Sequence, residues 1–142
     1  MLDDELVANA EQELASYFAK YKPALAKLGK QLRAKLRTRL PGLNEVVYLY
    51  ENQGSLVISY SPTENGYDAV CSLALAPLGA KLCFAHGPAL SKLDPHKLLQ
   101  GSGKLVRHVE LNSAADFGRA ELQALLSAVL KLANVRVAPE AK

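Results

Sequence analysis

The chain has no tryptophan, one methionine and two cysteines in 142 residues, and aromatic side chains make up only 6% of it. Its core must therefore be mostly aliphatic, and two thiols are too few for the disulfide framework of a small secreted scaffold. Long apolar runs are also missing. No uncharged stretch is longer than the one between Asp68 and Lys81, and a membrane-spanning helix needs about 20 apolar residues. The opening Met1-Leu2-Asp3-Asp4-Glu5 is acidic and has neither the basic nor the apolar region of a secretory signal. These absences predict a cytoplasmic protein with no membrane association.

What is present suits one domain. The sequence is 49% hydrophobic and 22% charged, enough to bury about two-thirds of its unfolded surface without a metal or disulfide staple. The net charge of +3 hides two local fields of opposite sign. The first thirteen residues hold five acids and no base, whereas residues 20–39 hold eight bases and no acid.

Periodicity divides the chain. Leu6, Ala10, Leu14, Tyr17, Phe18 and Tyr21 recur at helical spacing over residues 4–20, with Asp3 as N-cap. Pro23 opens a second helix striped by Leu25, Leu28, Leu32, Leu36 and Leu40, and Pro41-Gly42 ends it. The period then changes to two. Strands are expected at 46–50, 56–60, 70–76, 81–86 and 104–111, with Asn65-Gly66 as a hairpin turn. If Leu78-Gly79 is a two-residue loop, Leu75 faces Leu82, Leu73 faces Phe84 and Cys71 faces His86. That register keeps one face apolar and puts Cys71 and Cys83 on opposite faces, unbonded to each other. Asp94-Pro95 to Leu99 reads as a short helical turn capped by Asp94. Ser113 and Asp116 cap a last helix whose Leu122, Leu125, Leu126, Val129 and Ala133 share a face, and Asn134 stops it. The expectation is α+β: two N-terminal helices, an antiparallel sheet of about five strands, and a C-terminal helix on the same sheet face. One domain spans residues 1–134, and 135–142 form a tail.

Few segments could carry chemistry. Gly101-Ser102-Gly103-Lys104 lacks the first glycine and the hydroxyl residue of a P-loop and leads from helix to strand, so a tight turn is the simpler reading. Arg107 shares a side of its strand with Leu105, Val109 and Leu111, and a guanidinium there needs a partner. It is either a structural clamp onto Asp94, Glu45 or a helix end, or an anion ligand. In the second case a small anionic ligand would meet Asp94, Gly101, Gly103, Lys104, Arg107 and His108. His86, His96 and His108 with Cys71 and Cys83 show no metal-ligand spacing, although Cys71 opposite His86 would make half a site. Asp3, Asp4, Glu5, Glu11 and Glu13 could hold a hard cation, or could simply suit a helix start. The bases of the second helix spread over its whole polar arc without aromatic interleaving, which disfavours nucleic acid but leaves a basic interaction face open. No nucleophile, base and orienting group can be assembled, so the reading is non-enzymatic.

From about Leu40 to Ala133 the chain resembles the YdhG-like family. The likeness is densest in residues 90–111, with Pro95, Leu98-Leu99 and the run Gly101-Ser102-Gly103-Lys104-Leu105-Val106-Arg107-His108. The resemblance implies a small intracellular α+β domain with helices on a curved antiparallel sheet. It also implies a frataxin-like role in iron delivery, as for one family member, with carboxylates along the first helix; here these would be Asp3, Asp4, Glu5, Glu11 and Glu13. The ligand would then be iron, and the partner an unidentified protein.

Overall fold

Proline at the first turn and a leucine stripe make Pro23–Arg39 a helix, α1, which carries Arg37 and Arg39 at its negative C-terminal end. The structure, a computed structural model, describes residue 12, residues 14–101 and residues 103–135. Of the expected helix at 4–20, residues 14–18 are helical and the chain turns at 19–20; the residues before 12 lie outside the described part. Leu14 and Phe18 are buried against the core. Gly29 lets α1 approach closely, because a Cβ there would sit 2.6 Å from Leu75 Cδ1 and 2.9 Å from the Phe18 ring.

Beyond α1 come five strands: β1 (Asn44–Tyr50), β2 (Ser55–Ser61), β3 (Cys71–Ala76), β4 (Gly79–Phe84) and β5 (Arg107–Leu111). They form one antiparallel sheet in sequence order. Alternation decides the faces. Leu56, Ile58, Tyr60, Cys71, Leu73, Leu75, Ala80, Leu82, Phe84, Val109 and Leu111 are buried on the inner side. They share one core with Leu32, Leu36 and Leu40 of α1 and with the leucines near the C-terminus. The α+β architecture is as the sequence predicts, and no helix among the described residues is long and apolar enough to cross a membrane.

Local details differ from expectation, each for a physical reason. Asn65-Gly66 is not a hairpin turn. Asn65 is extended and its side chain accepts from Tyr67 N–H, capping a short 3-10 helix, Gly66–Asp68, within a longer β2–β3 connection. The β3–β4 loop is Pro77-Leu78, with Gly79 already in the strand, so Leu73 faces Leu82 and Cys71 faces Phe84. The shift is by two residues, which keeps the faces. Cys71 is buried, Cys83 lies on the other side, and both are free thiols.

Gly87–Ser91 is a helix, α2, led by Pro88 in its first turn, whereas Asp94 to Leu99 is not helical. Asp94 still caps. Its carboxylate accepts from the Leu98 and Leu99 amides at 3.1 and 2.8 Å, closing a turn in which Lys97 has φ +54°. The last strand begins at Arg107 rather than Lys104, which leaves Leu105 outside the sheet and 78% exposed. The last helix is two: α3 (Ala114–Phe117), with the Ser113/Asp116 capping box, and α4 (Ala120–Leu132). Leu122, Leu125, Leu126 and Val129 of α4 are buried as expected, and Asn134 ends the turn at φ +56°. Arg39 ties α1 to α4 by donating to Gln123 Oε1 and Ser127 Oγ. Of the expected tail, Val135 packs against the core, and 136–142 lie outside the described residues.

Candidate functional site

The residues expected to hold an anion are drawn into separate tasks. Arg107 donates through Nη1 to Ser91 Oγ at the end of α2 and through Nε to the Gly103 carbonyl. Its stem lies against Gly87, where a Cβ would come within 2.8 Å of Arg107 Cγ. Arg107 thus clamps α2 and the 101–103 turn to β5; of the expected partners it meets the helix end, through Ser91, together with the Gly103 carbonyl, and neither Asp94 nor Glu45. Asp94 is 8% exposed, with both carboxylate oxygens occupied by amides. Gly101 has φ +95°, and a Cβ on Gly103 would meet the Val106 carbonyl at 2.5 Å, so these glycines serve a tight turn. Ser102 is outside the described residues, and Lys104 is exposed.

His108 sits on the opposite face of β5 from Arg107, since it pairs with Cys83 whereas Arg107 pairs with Phe84. Its backbone exchanges two hydrogen bonds with Gln100, which closes the outer edge of β5. Burial, then the Lys81 charge, lowers the imidazole pKa from its usual 6.5, and Glu110 opposes them. Lys104, Arg107 and His108 therefore do not converge. Replacing Asp94 with alanine is expected to cost about 2 kcal/mol, because two amides lose their acceptor. Urea unfolding measures that loss, and hydrogen exchange should accelerate first at Leu98 and Leu99.

The expected metal ligands Asp3, Asp4, Glu5, Glu11 and Glu13 all lie outside the described residues. Among the described residues no group of three His, Cys, Asp or Glu side chains could hold a metal ion. The Cys71–His86 half-site is not formed: Cys71 faces Phe84, and His86 has left the strand at φ +55° to begin α2. Burial pushes the Cys71 thiol up to about 12 and also raises that of Cys83, so neither is a ready thiolate.

Three of the eight bases in residues 20–39 serve the fold. Arg33 grips Glu45 with two hydrogen bonds of 2.9 and 2.7 Å, Tyr60 Oη donates to the same carboxylate at 2.9 Å, and Arg37 lies 3.8 Å from it. Arg39 is engaged with Gln123 and Ser127 of α4. The cationic surface of α1 is mainly its lysines.

The outer face of the sheet has no counterpart in the sequence expectations. Cross-strand rows there run Tyr48–Val57–Ala74–Lys81–Glu110 and Val46–Ser59–Ser72–Cys83–His108. The centre is made of small side chains, with Ser59 Oγ and Ser72 Oγ 2.8 Å apart. Tyr48 and Tyr50 stack at one margin with ring centroids 6.4 Å apart. A hollow of about 500 Å³ results, bounded by Tyr50, Ser72, Ala74, Leu78, Lys81 and Glu110. A second hollow, of about 560 Å³, lies between Tyr17, Lys20, Tyr21, Leu49 and Pro77. Its side chains are largely partnered already. Tyr21 Oη donates to the carbonyls of Gly54 and Leu75, and Lys20 Nζ lies 5.6 Å from the Tyr17 ring centroid. The sequence signal for the outer face was the run of small residues at alternate positions, Ser55, Ser59, Ser72, Ala74 and Ala76.

No family model, curated protein or solved structure matches the chain. The YdhG-like resemblance thus rests on its residue pattern alone, and the functional reading rests on geometry.

Proposed function

We propose that the chain is a binding domain without catalytic chemistry of its own, and that the outer face of its sheet carries the ligand. The observation behind this is the hollow of about 500 Å³ floored by small side chains of β2–β4, a size in the range that small organic ligands occupy. Tyr50 and Leu78 offer apolar contact on one side, and Lys81, Glu110 and Asn112 offer charge and hydrogen bonds on the other. A molecule with a flat apolar body and one charged or polar end fits that division. Arg107 and Asp94, the groups best suited by type to chemistry, are engaged in holding turns together.

The test is an NMR screen of the isotope-labelled protein against planar aromatic carboxylates and amines, with ferrous iron under anaerobic conditions as a separate arm. Shift changes centred on Val57, Ser72, Ala74 and Lys81, lost in Ala74→Arg and kept in Arg107→Ala, support the proposal. Changes centred on Lys104 and Arg107 would replace it with the anion-binding reading. Iron broadening confined to residues 3–13, with no response from the sheet, would replace it with the iron-delivery role that the YdhG-like resemblance implies.

A further inference from the structure

The two edges of the sheet are finished differently. The outer edge of β5 is closed by Gln100, which exchanges N–H···O bonds with His108 at 2.7 and 3.1 Å. β1 is the other edge, and among the described residues nothing pairs with its outer side. Its sequence, Asn44-Glu45-Val46-Val47-Tyr48-Leu49-Tyr50, has no lysine, arginine or proline to guard the edge, and its only charge is the inward-facing Glu45. Val47, Tyr48 and Tyr50 are all exposed large hydrophobics. The one charge, Glu45, is neutralised by Arg33.

Hydrogen-bond direction shows which groups the edge offers. The Tyr60 carbonyl accepts from Val70 N–H, on the β3 side. Alternation along β2 then turns Ile58 and Leu56 toward β3 and Val57 and Ser59 toward β1. On β1 the partners of Val57 and Ser59 are Tyr48 and Val46. The amides and carbonyls of Glu45, Val47 and Leu49 therefore point to the open edge.

We infer that β1 is a self-association edge, and that two copies of this chain pair their β1 strands antiparallel about a twofold axis at Val47. In that register Val47 faces Val47, Val46 faces Tyr48, Glu45 faces Leu49 and Asn44 faces Tyr50 of the other copy. No like charges meet. The three outward-pointing residues of each strand form complementary pairs, and the outer faces join across a Val46–Tyr48 row. A closed isologous dimer uses both open edges at once and leaves no edge for a third copy. The self-complementary pattern is why a second copy, rather than an unrelated extended peptide, is the occupant.

Sedimentation velocity from low micromolar to near-millimolar concentration tests this. The mass should rise from 15.3 kDa toward twice that value, and Val47→Lys, which sets two ammonium groups face to face, should return it to monomer. A second variant guards against misfolding of the first. In a Cys83→Ser background, Val47→Cys should form a disulfide-linked dimer under mild oxidation, since directly opposed residues with Cα atoms about 5.5 Å apart satisfy disulfide geometry. Tyr50→Cys should not, because its two copies would lie about 20 Å apart. A monomer at every concentration overturns the inference, as does a dimer that Val47→Cys fails to link. Binding of an added β1 peptide by a chain that stays monomeric would identify the edge as a peptide acceptor instead.

Discussion

Replacing Glu45 with leucine is expected to lower stability by about 3 kcal/mol, visible as a lower urea midpoint at unchanged slope. The carboxylate serves three donors. Arg33, with its side chain 12% exposed, binds it through two atoms, Tyr60 donates its buried hydroxyl, and Arg37 stands at the margin. Most of the loss comes from what leucine leaves behind: a largely desolvated guanidinium deprived of its bidentate partner and a phenol deprived of the carboxylate it donates to. The contribution of exposed Arg37 is small, because solvent screens it. Glu45→Gln should cost clearly less than the leucine change, since an amide oxygen still accepts one of these bonds. Equal stability of the leucine variant and the parent would show that the helix–strand connection does not depend on this cluster.

The protein should also lose stability steeply as pH rises from about 9 toward 12. Burial pushes the Cys71 thiol up from its ordinary 9.0 to about 12. Burial, then the charge of Glu45, pushes the Tyr60 phenol far above its ordinary 10.0. Both groups therefore stay protonated in the fold where the unfolded chain has already released its protons. The native state binds more protons across that window, so stability is complete below pH 9 and falls as pH climbs. Each such group adds at most about 1.4 kcal/mol per pH unit to the slope. Burial raises Cys83 and Tyr21 in the same direction. Urea unfolding at a series of alkaline pH values measures the slope. Cys71→Ala and Tyr60→Phe should each flatten it, whatever they do to stability at neutral pH. A slope unchanged in both variants would mean that other groups drive the alkaline transition.

The large elements were legible because period and burial agree in them. The leucine stripe of α1, the alternation of β2, β3 and β4 and the apolar face of α4 each state one period and are buried accordingly. Register was legible only to within two residues. Hydrophobic alternation fixes which face a strand buries, whereas the turn fixes the offset, and Pro77-Leu78 and Leu78-Gly79 are both acceptable turn pairs. The five-residue helix α2 was not legible, being too short to show a period, with a proline that reads as loop. A helix end was among the expected partners of Arg107, but which helix was hidden, since Ser91 is the last residue of this one. The Arg33–Glu45 pair had a signal of its own. Glu45 shares the inward parity of Val47 and Leu49, and an acid on that side needs a base, which the preceding helix supplies. The outer face was not legible because Ser59, Ser72 and Ala74 are ordinary one at a time and become a floor only when three strands are laid side by side.

Because each strand neighbours the one made before it, the sheet can grow in the order of synthesis. The connections at 51–54 and 77–78 are short and the one at 62–70 has only nine residues, so β1 to β4 can pair soon after each emerges. Part of the core that their apolar side joins arrives late. Leu122, Leu125, Leu126 and Val129 are still to emerge when Leu56, Ile58, Leu73 and Leu82 already stand on a common surface, with α1 as the helical shield made before them. A chain stalled after β4 has left the ribosome and before Ala120–Leu132 has done so would therefore hold out a four-stranded, half-covered sheet with an open first strand. For this topology the hazardous interval is the making of the chain, and it ends when Ala120–Leu132 docks.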